Sequence, residues 1–151
     1  MIVGLHHLGL TVSAVDASAE WYETVLGFRR VGRFDAPDGA RSKVFLRHDG
    51  LRVRLGLTQH RDAGREPFDE TRIGLDHLAF AVAERAHLDE WARRLAEAGV
   101  PHSPVAPANS IEGAAVLVLR DPDNIQLELF YEPPTHHDRV DLAVVVADKY
   151  T

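Results

Sequence analysis

His7 and His77 are the residues whose placement most clearly suggests chemistry, because they stand at the same position in two copies of a similar segment. Residues 4–12 return later in the chain as residues 74–82, and each copy leads into a stretch that carries a tryptophan. The neutral imidazole is a common ligand for divalent transition metals. The duplication therefore predicts two metal ligands that come from distant parts of the chain.

Glu128, near the end of the second copy, is the candidate third ligand. Alternation along a strand puts Gln126, Glu128 and Phe130 on the face toward a cleft, and the apolar residues between them on the face toward a helix. A carboxylate in a half-buried cavity is costly unless a cation or hydrogen bonds compensate for the lost water. Two imidazoles aimed at the same cavity supply a reason for the cation, so the three residues predict a divalent metal site.

The same repeat predicts the fold. Each copy reads as a strand, a helix and three strands, which indicates an α+β fold of two tandem βαβββ modules. Neither module can bury a whole sheet face alone, so we expect the two to form a curved mixed sheet around a metal-binding cleft, with the helices outside. We place the first module at 1–57, a linker at 58–73, the second module at 74–132 and a C-terminal tail at 133–151. The tail packs either on the domain or on a second subunit.

Hydrophobic periodicity sets the expected elements. Gly27 and Gly99 suit the left-handed residue that ends a helix. Helices are expected at 16–26 and 84–98, and strands at 5–12, 28–34, 42–47, 51–57, 75–82, 102–105, 114–120 and 125–131.

The composition excludes several classes of protein. The 151 residues carry a formal net charge of −6 at pH 7, which argues against a nucleic-acid partner, since such proteins usually present a basic face. There is no cysteine, so disulfides, thiolate metal sites and a cysteine nucleophile are excluded. No apolar run approaches the length of a membrane span and no signal-peptide pattern opens the chain, so we expect no membrane association and a cytoplasmic location.

The stretch DPDNIQLEL at 121–129, together with the repeated histidines, resembles the vicinal oxygen chelate superfamily. This superfamily includes glyoxalase I, fosfomycin-resistance transferases, bleomycin-binding proteins and extradiol dioxygenases, and the resemblance covers about residues 1–132. It implies that His7, His77 and Glu128 bind one divalent metal ion, with Fe(II) favoured and Mn, Ni, Co or Zn as alternatives. It also implies a small-molecule substrate and a homodimer. In this superfamily the modules pair either within one chain or between two, so His7 can complete the site of a partner.

The fourth ligand position of that family aligns with Arg54 when Gly50 is matched to Asn124. Arginine does not bind cations, so three protein ligands would leave about three positions for water, substrate oxygens or dioxygen. Glyoxalase I usually has a carboxylate here to move a proton, so its reaction is disfavoured. Arg54 is instead the candidate substrate-binding residue, because a guanidinium suits an anionic group.

The resemblance leaves the reaction open. Iron-dependent dioxygenase chemistry leads, and the alternatives are a redox-silent isomerase, lyase or transferase, and a protein that sequesters a drug without transforming it. Ring-cleaving dioxygenases and fosfomycin-resistance transferases normally carry a tyrosine where Val118 stands, so neither subfamily is matched. Glu112, in the loop before the penultimate strand, is the candidate catalytic acid-base group, and a solvated surface carboxylate is the alternative reading.

Overall fold

The computed structural model describes residues 2–64, 66–109 and 111–134. The tail expected at 133–151 therefore lies outside the described residues from 135 onward. The described residues form two modules with the same order of elements, as the repeat predicts. Their bounds are β1 (His7–Thr11), α1 (Val15–Leu26), β2 (Arg29–Asp35), β3 (Arg41–Arg47), β4 (Arg54–His60), β5 (Leu78–Ala81), α2 (Arg85–Glu97), β6 (Ala106–Pro107), β7 (Ala115–Arg120) and β8 (Gln126–Tyr131).

Each module contains one four-stranded mixed sheet. The first sheet has the order β1-β4-β3-β2 and the second has the order β5-β8-β7-β6. The strands β1 and β4 are parallel, as are β5 and β8, while the remaining neighbours are antiparallel. The α+β fold of two βαβββ modules is confirmed. Among the described residues of one chain the two sheets share no ladder of hydrogen bonds, and β1 and β5 are both edge strands.

The two modules share one hydrophobic core. One face of each sheet contributes buried leucines to it, such as Leu57 and Leu127, and α1 adds Tyr22. Phe28 and Phe80 meet across the modules with ring centroids 5.9 Å apart. We call the opposite sheet faces, which alternation turns away from this core, the open faces. The open face of the first sheet includes His7, Gly9, Arg41, Lys43, Phe45, Arg47, Arg54, Gly56 and Thr58, and that of the second includes His77, Ala79, Val118, Arg120, Gln126 and Glu128.

The hairpin between β7 and β8 is fastened to the first module by one buried and one exposed polar contact. The hydroxyl of Tyr22 donates a hydrogen bond to Oδ2 of Asp121 at 3.0 Å, and the backbone amide of Ser13 donates to Oδ1 of Asp123 at 3.0 Å. Burial raises the pKa of the Asp121 carboxyl above its usual range. Burial, and then the neighbouring Asp121 carboxyl, raise the pKa of the Tyr22 hydroxyl, so this hydroxyl remains a donor at any physiological pH.

Three strands differ most from their expected bounds, namely β4, β5 and β6. β5 is Leu78–Ala81 rather than 75–82, so His77 precedes the strand. β4 runs from Arg54 to His60 rather than over 51–57, so residues 58–60 of the expected linker belong to a strand. β6 is only Ala106–Pro107 rather than 102–105, and His102 makes a single isolated bridge to Leu119. Prolines at positions 101, 104 and 107 lack the N–H group that a ladder needs, which explains the short pairing. Neither helix in the described residues is long and apolar enough to cross a membrane.

Candidate metal centre

His77 and Glu128 lie together on the open face of the second sheet. Nε2 of His77 is 3.6 Å from Oε2 of Glu128, and the side chains are 40% and 16% exposed. On the other side of the ring, Nδ1 of His77 lies 2.6 Å from Oδ1 of Asp76. When Nδ1 carries the proton and donates it to Asp76, the lone pair of Nε2 is directed toward Glu128. A carboxylate that orients a histidine in this way is typical of metal sites.

Glu128 is held by a chain of hydrogen bonds that ends in the segment between the modules. Nε2 of Gln126 donates to Oε1 of Glu128 at 3.4 Å, and Nη2 of Arg120 donates to Oε1 of Gln126 at 2.9 Å. The guanidinium of Arg120 also binds both carboxylate oxygens of Glu70, at 2.6 and 2.9 Å. These bonds from Arg120 lower the pKa of Glu70 to about 2. This series of hydrogen bonds occupies Oε1 of Glu128 and leaves Oε2 facing His77.

His7 lies apart from this pair. It is exposed at the start of β1, where its Nδ1 is 2.9 Å from Nδ1 of His6. Within one chain, the described residues contain no group of three or more histidines, aspartates and glutamates that could hold a metal ion. The structure thus brings two of the three predicted ligands together in a single chain and leaves the third on the open face of the other module.

Exposed apolar side chains lie beside the two sheet edges at which His7 and His77 are found. β1 and β5 are edge strands, so their outer backbone groups have no strand partner among the described residues. The apolar residues that precede these two strands and are largely exposed are Ile2, Val3, Leu5 and Ile73. Apolar residues beside an unpaired strand edge are typical of a surface that another chain covers.

The alignment of Arg54 with Glu128 is wrong by two residues. Ala79 pairs with Glu128 in the second sheet, and the residue that matches Ala79 in the first copy, Gly9, pairs with Gly56. Gly56 therefore occupies the position in the first sheet that is equivalent to Glu128 in the second. Alternation has a period of two, so a shift of two residues keeps every side chain on its face and cannot be detected from the hydrophobic pattern.

The remaining predicted site residues are exposed. Arg54 pairs with His7 at the start of β4, on the same open face. Glu112 lies exposed in the loop between β6 and β7, and its role stays a prediction. The sequence reasoning missed Asp76 and Gln126 as supports of the predicted ligands. Their signal was available, since each is a polar residue one or two positions from a predicted ligand.

Comparisons with known proteins find a family model, a related sequence and similar solved structures. A family model described as the Glyoxalase/Bleomycin resistance protein/Dioxygenase superfamily matches residues 4–129. An uncharacterized protein of Pseudomonas aeruginosa is 30% identical over 134 residues, which cover 86% of this chain and 89% of that protein. The crystal structure of a glyoxylase/bleomycin resistance protein/dioxygenase domain from Frankia sp. EAN1pec superposes with a TM-score of 0.77 at 33% identity, covering 88% of this chain and 100% of the other.

A more distant structural neighbour holds a metal. The fosfomycin resistance protein FosX from Listeria monocytogenes, crystallised with Mn(II) and sulfate, superposes with a TM-score of 0.65 at 17% identity. The superposition covers 88% of this chain and 95% of FosX. At this identity the likeness concerns the fold alone.

Proposed function

Because the chain belongs to the glyoxalase/bleomycin resistance protein/dioxygenase superfamily, we propose that it is an enzyme in which His7, His77 and Glu128 hold one divalent metal ion. The observation that carries this proposal is the 3.6 Å approach of His77 Nε2 to Glu128 Oε2, with each side chain held from behind by a hydrogen bond. Two imidazoles and a carboxylate suit Fe(II), and Mn, Ni, Co or Zn are also compatible. When bound, such an ion would polarise vicinal oxygens of a substrate and stabilise negative charge on them.

The site is completed by a second copy of the chain. His7 lies outside the His77 and Glu128 pair, and β1 and β5 are edge strands flanked by exposed apolar residues. If β1 of one copy lies beside β5 of the other, the two open faces form one cleft and His7 of the second copy approaches the pair. A symmetric dimer would then contain two equivalent shared sites.

The substrate is a small anionic molecule that binds through adjacent oxygens. Gly56 provides no ligand at the fourth position, so about three coordination positions stay open for substrate and a co-reactant. Arg54, next to His7 on the open face, binds an anionic group of the substrate. Glu112 supplies acid-base chemistry from its loop. Oxygen-dependent chemistry with Fe(II) is the leading reaction, and a cytoplasmic location completes the proposal.

A redox-silent reaction is the second candidate, and one observation favours it. Val118 pairs with Glu128 across β7 and β8, so the open face carries an apolar side chain where a ring-cleaving dioxygenase would have a tyrosine hydroxyl. Isomerisation, elimination or group transfer on the same site requires no dioxygen. Anaerobic turnover separates the two candidates.

Elemental analysis of protein purified without chelator tests the proposal. We expect close to one divalent ion per chain in the wild type, loss of that ion in Glu128→Gln, and retention in the matched control Glu90→Gln, which changes an exposed glutamate of α2. Oxygen uptake by the Fe(II)-loaded protein with catechols and short 2-oxo acids then tests the leading reaction. A metal-free wild type that still binds small molecules would overturn the proposal in favour of sequestration.

A further inference from the structure

Lys43 fills the space that a fourth ligand would occupy. A Cβ atom built on Gly56 would lie 3.0 Å from Cε of Lys43 and 3.7 Å from its Nζ. Gly56 is equivalent to Glu128 of the second module, as both strand registers show. The first module therefore presents an ammonium group at the place where the second presents a carboxylate.

The position of this ammonium relative to His7 follows from the repeat. Nε2 of His77 is 3.6 Å from Oε2 of Glu128, and a side chain at position 56 would stand in the same relation to His7. The ammonium of Lys43 thus lies beside the position that corresponds, relative to His7, to that of Glu128 relative to His77.

In the part of the chain that the structure describes, no carboxylate forms an ion pair with Lys43. Its Nζ lies 5.3 Å from the ring centroid of Phe45, and none of the ion pairs among the described residues involves it. A cation over an aromatic ring is attracted to the face of the ring, which restricts its position.

The charged strand residues on the open face of the first sheet are all positive, although the chain as a whole carries a net charge of −6, and Arg29 among them is paired with Asp49. The face has no aspartate or glutamate among its strand residues, and its cationic residues are Arg29, Arg41, Lys43, Arg47 and Arg54. A cleft lined by one sign of charge raises the local concentration of the opposite sign.

From this placement we propose that Lys43 binds the negative charge of the chelating oxygens themselves, so that the substrate is a 2-oxo or 2-hydroxy carboxylate rather than a neutral diol. This inference rests on the proposed metal site. A lysine provides a compact point charge that suits one carboxylate oxygen, whereas the fork of Arg54 lies at the start of β4 and suits a group farther along the substrate.

Binding of oxalate to the Mn(II)-loaded protein tests this inference, with calorimetric titrations of Mn(II) and of oxalate as separate measurements. In Lys43→Met we expect Mn(II) affinity to be equal to that of the wild type or higher, because a neighbouring positive charge is removed, and oxalate affinity to fall about tenfold or more. Lys43→Arg keeps the charge and should retain most of the oxalate affinity. Arg93→Met, which removes an exposed positive charge from α2, is the matched control and should leave both affinities unchanged.

A second variant changes the position of the same ammonium group by a substitution at Gly56. Gly56→Ala brings a methyl group against Cε of Lys43 and displaces its side chain, so oxalate affinity should fall while Mn(II) affinity is kept. Unchanged oxalate affinity in both Lys43→Met and Gly56→Ala would overturn the role of Lys43 alone. A wild type that binds no divalent metal would overturn the proposed function and, with it, this inference.

Discussion

Gly56 and Glu128 stand at equivalent positions in the two modules, so one module offers a carboxylate where the other offers no side chain beyond the backbone. The two copies thus share a histidine at the same position and differ at the strand position represented by Gly56 and Glu128. In the proposed metal site this asymmetry would leave coordination positions free for a substrate, and it makes room for Lys43. The proposed site then depends on the carboxylate of Glu128 alone. Variants that remove the hydrogen bonds behind Glu128 therefore test the proposal.

Glu70→Gln is expected to weaken metal binding although Glu70 lies at the far end of the chain of hydrogen bonds. The variant loses the charge-assisted bonds to Arg120, which releases Gln126 and then Oε1 of Glu128. Changes of this kind behind a ligand typically cost about 10- to 100-fold in metal affinity. Titration with Mn(II) measures the effect, and Glu97→Gln in the exposed pair with Arg93 is the control.

The pH dependence of that support has a definite sign. The pKa of Glu70 is lowered to about 2 from a usual value of 4.5, so the pair with Arg120 is complete above the usual value and is lost only as the pH falls toward about 2. Between about pH 5 and 8 we therefore expect the ratio of Mn(II) affinities of wild type and Glu70→Gln to stay constant. A ratio that changes steadily over that range would contradict this assignment.

Tyr22→Phe should lower the free energy of unfolding by about 1–3 kcal/mol, because it leaves the buried Asp121 carboxylate without one of its donors. Urea unfolding measures the change. Tyr131→Phe is a suitable control, since Tyr131 is only partly buried and its hydroxyl has no hydrogen bond among the described residues, so a change within about 0.5 kcal/mol is expected.

Asp121→Asn should reveal the raised pKa of Asp121 as a pH-dependent difference in stability. When a carboxyl has a higher pKa folded than unfolded, protonation favours folding, so its contribution to stability is greatest below the usual pKa of 3.8 and falls as the pH rises through the raised value. The advantage of wild type over Asp121→Asn should therefore be larger near about pH 4 than at neutrality. An advantage that grows with pH would rule out a raised pKa.

Gly27→Ala should cost about 1 kcal/mol of stability, since Gly27 ends α1 with a φ of 75° that an L-residue rarely adopts. The added methyl group meets only ordinary contacts with His48, so the cost comes from the backbone. Gly64→Ala, at an open position without a positive φ, is expected to change the melting temperature little.

The sequence predicted the modules because their signals are local. Helical spacing, a glycine such as Gly27 and the alternation that buries Leu127 beside Glu128 are all visible in short stretches. The approach of His77 to Glu128 was predictable because it depends on one module alone. His77 and Glu128 converge because β5 and β8 are neighbours in the second sheet.

The features that the sequence did not predict depend on loop lengths and on residues that are far apart in the sequence. The loop before β4 is longer than its counterpart before β8, and a two-residue shift left every side chain on the same face, so Arg54 was placed where Gly56 stands. Lys43 was missed because its importance arises only from the missing side chain on a neighbouring strand. In the proposed dimer the position of His7 relative to His77 and Glu128 depends on contacts between two copies, for which the sequence has no short local pattern.

Mixing two variants that each lack one of the two histidines tests the shared metal site most directly. His7→Ala and His77→Ala should each lose the metal, whereas His6→Ala should keep it. When the first two variants are unfolded together, refolded and purified, the mixed dimer contains one site with both histidines intact, so we predict recovery of about one metal ion per mixed dimer. No recovery from mixed dimers, with metal fully retained by a monomeric wild type, would contradict a site built from His7 of one copy and the His77 and Glu128 pair of another.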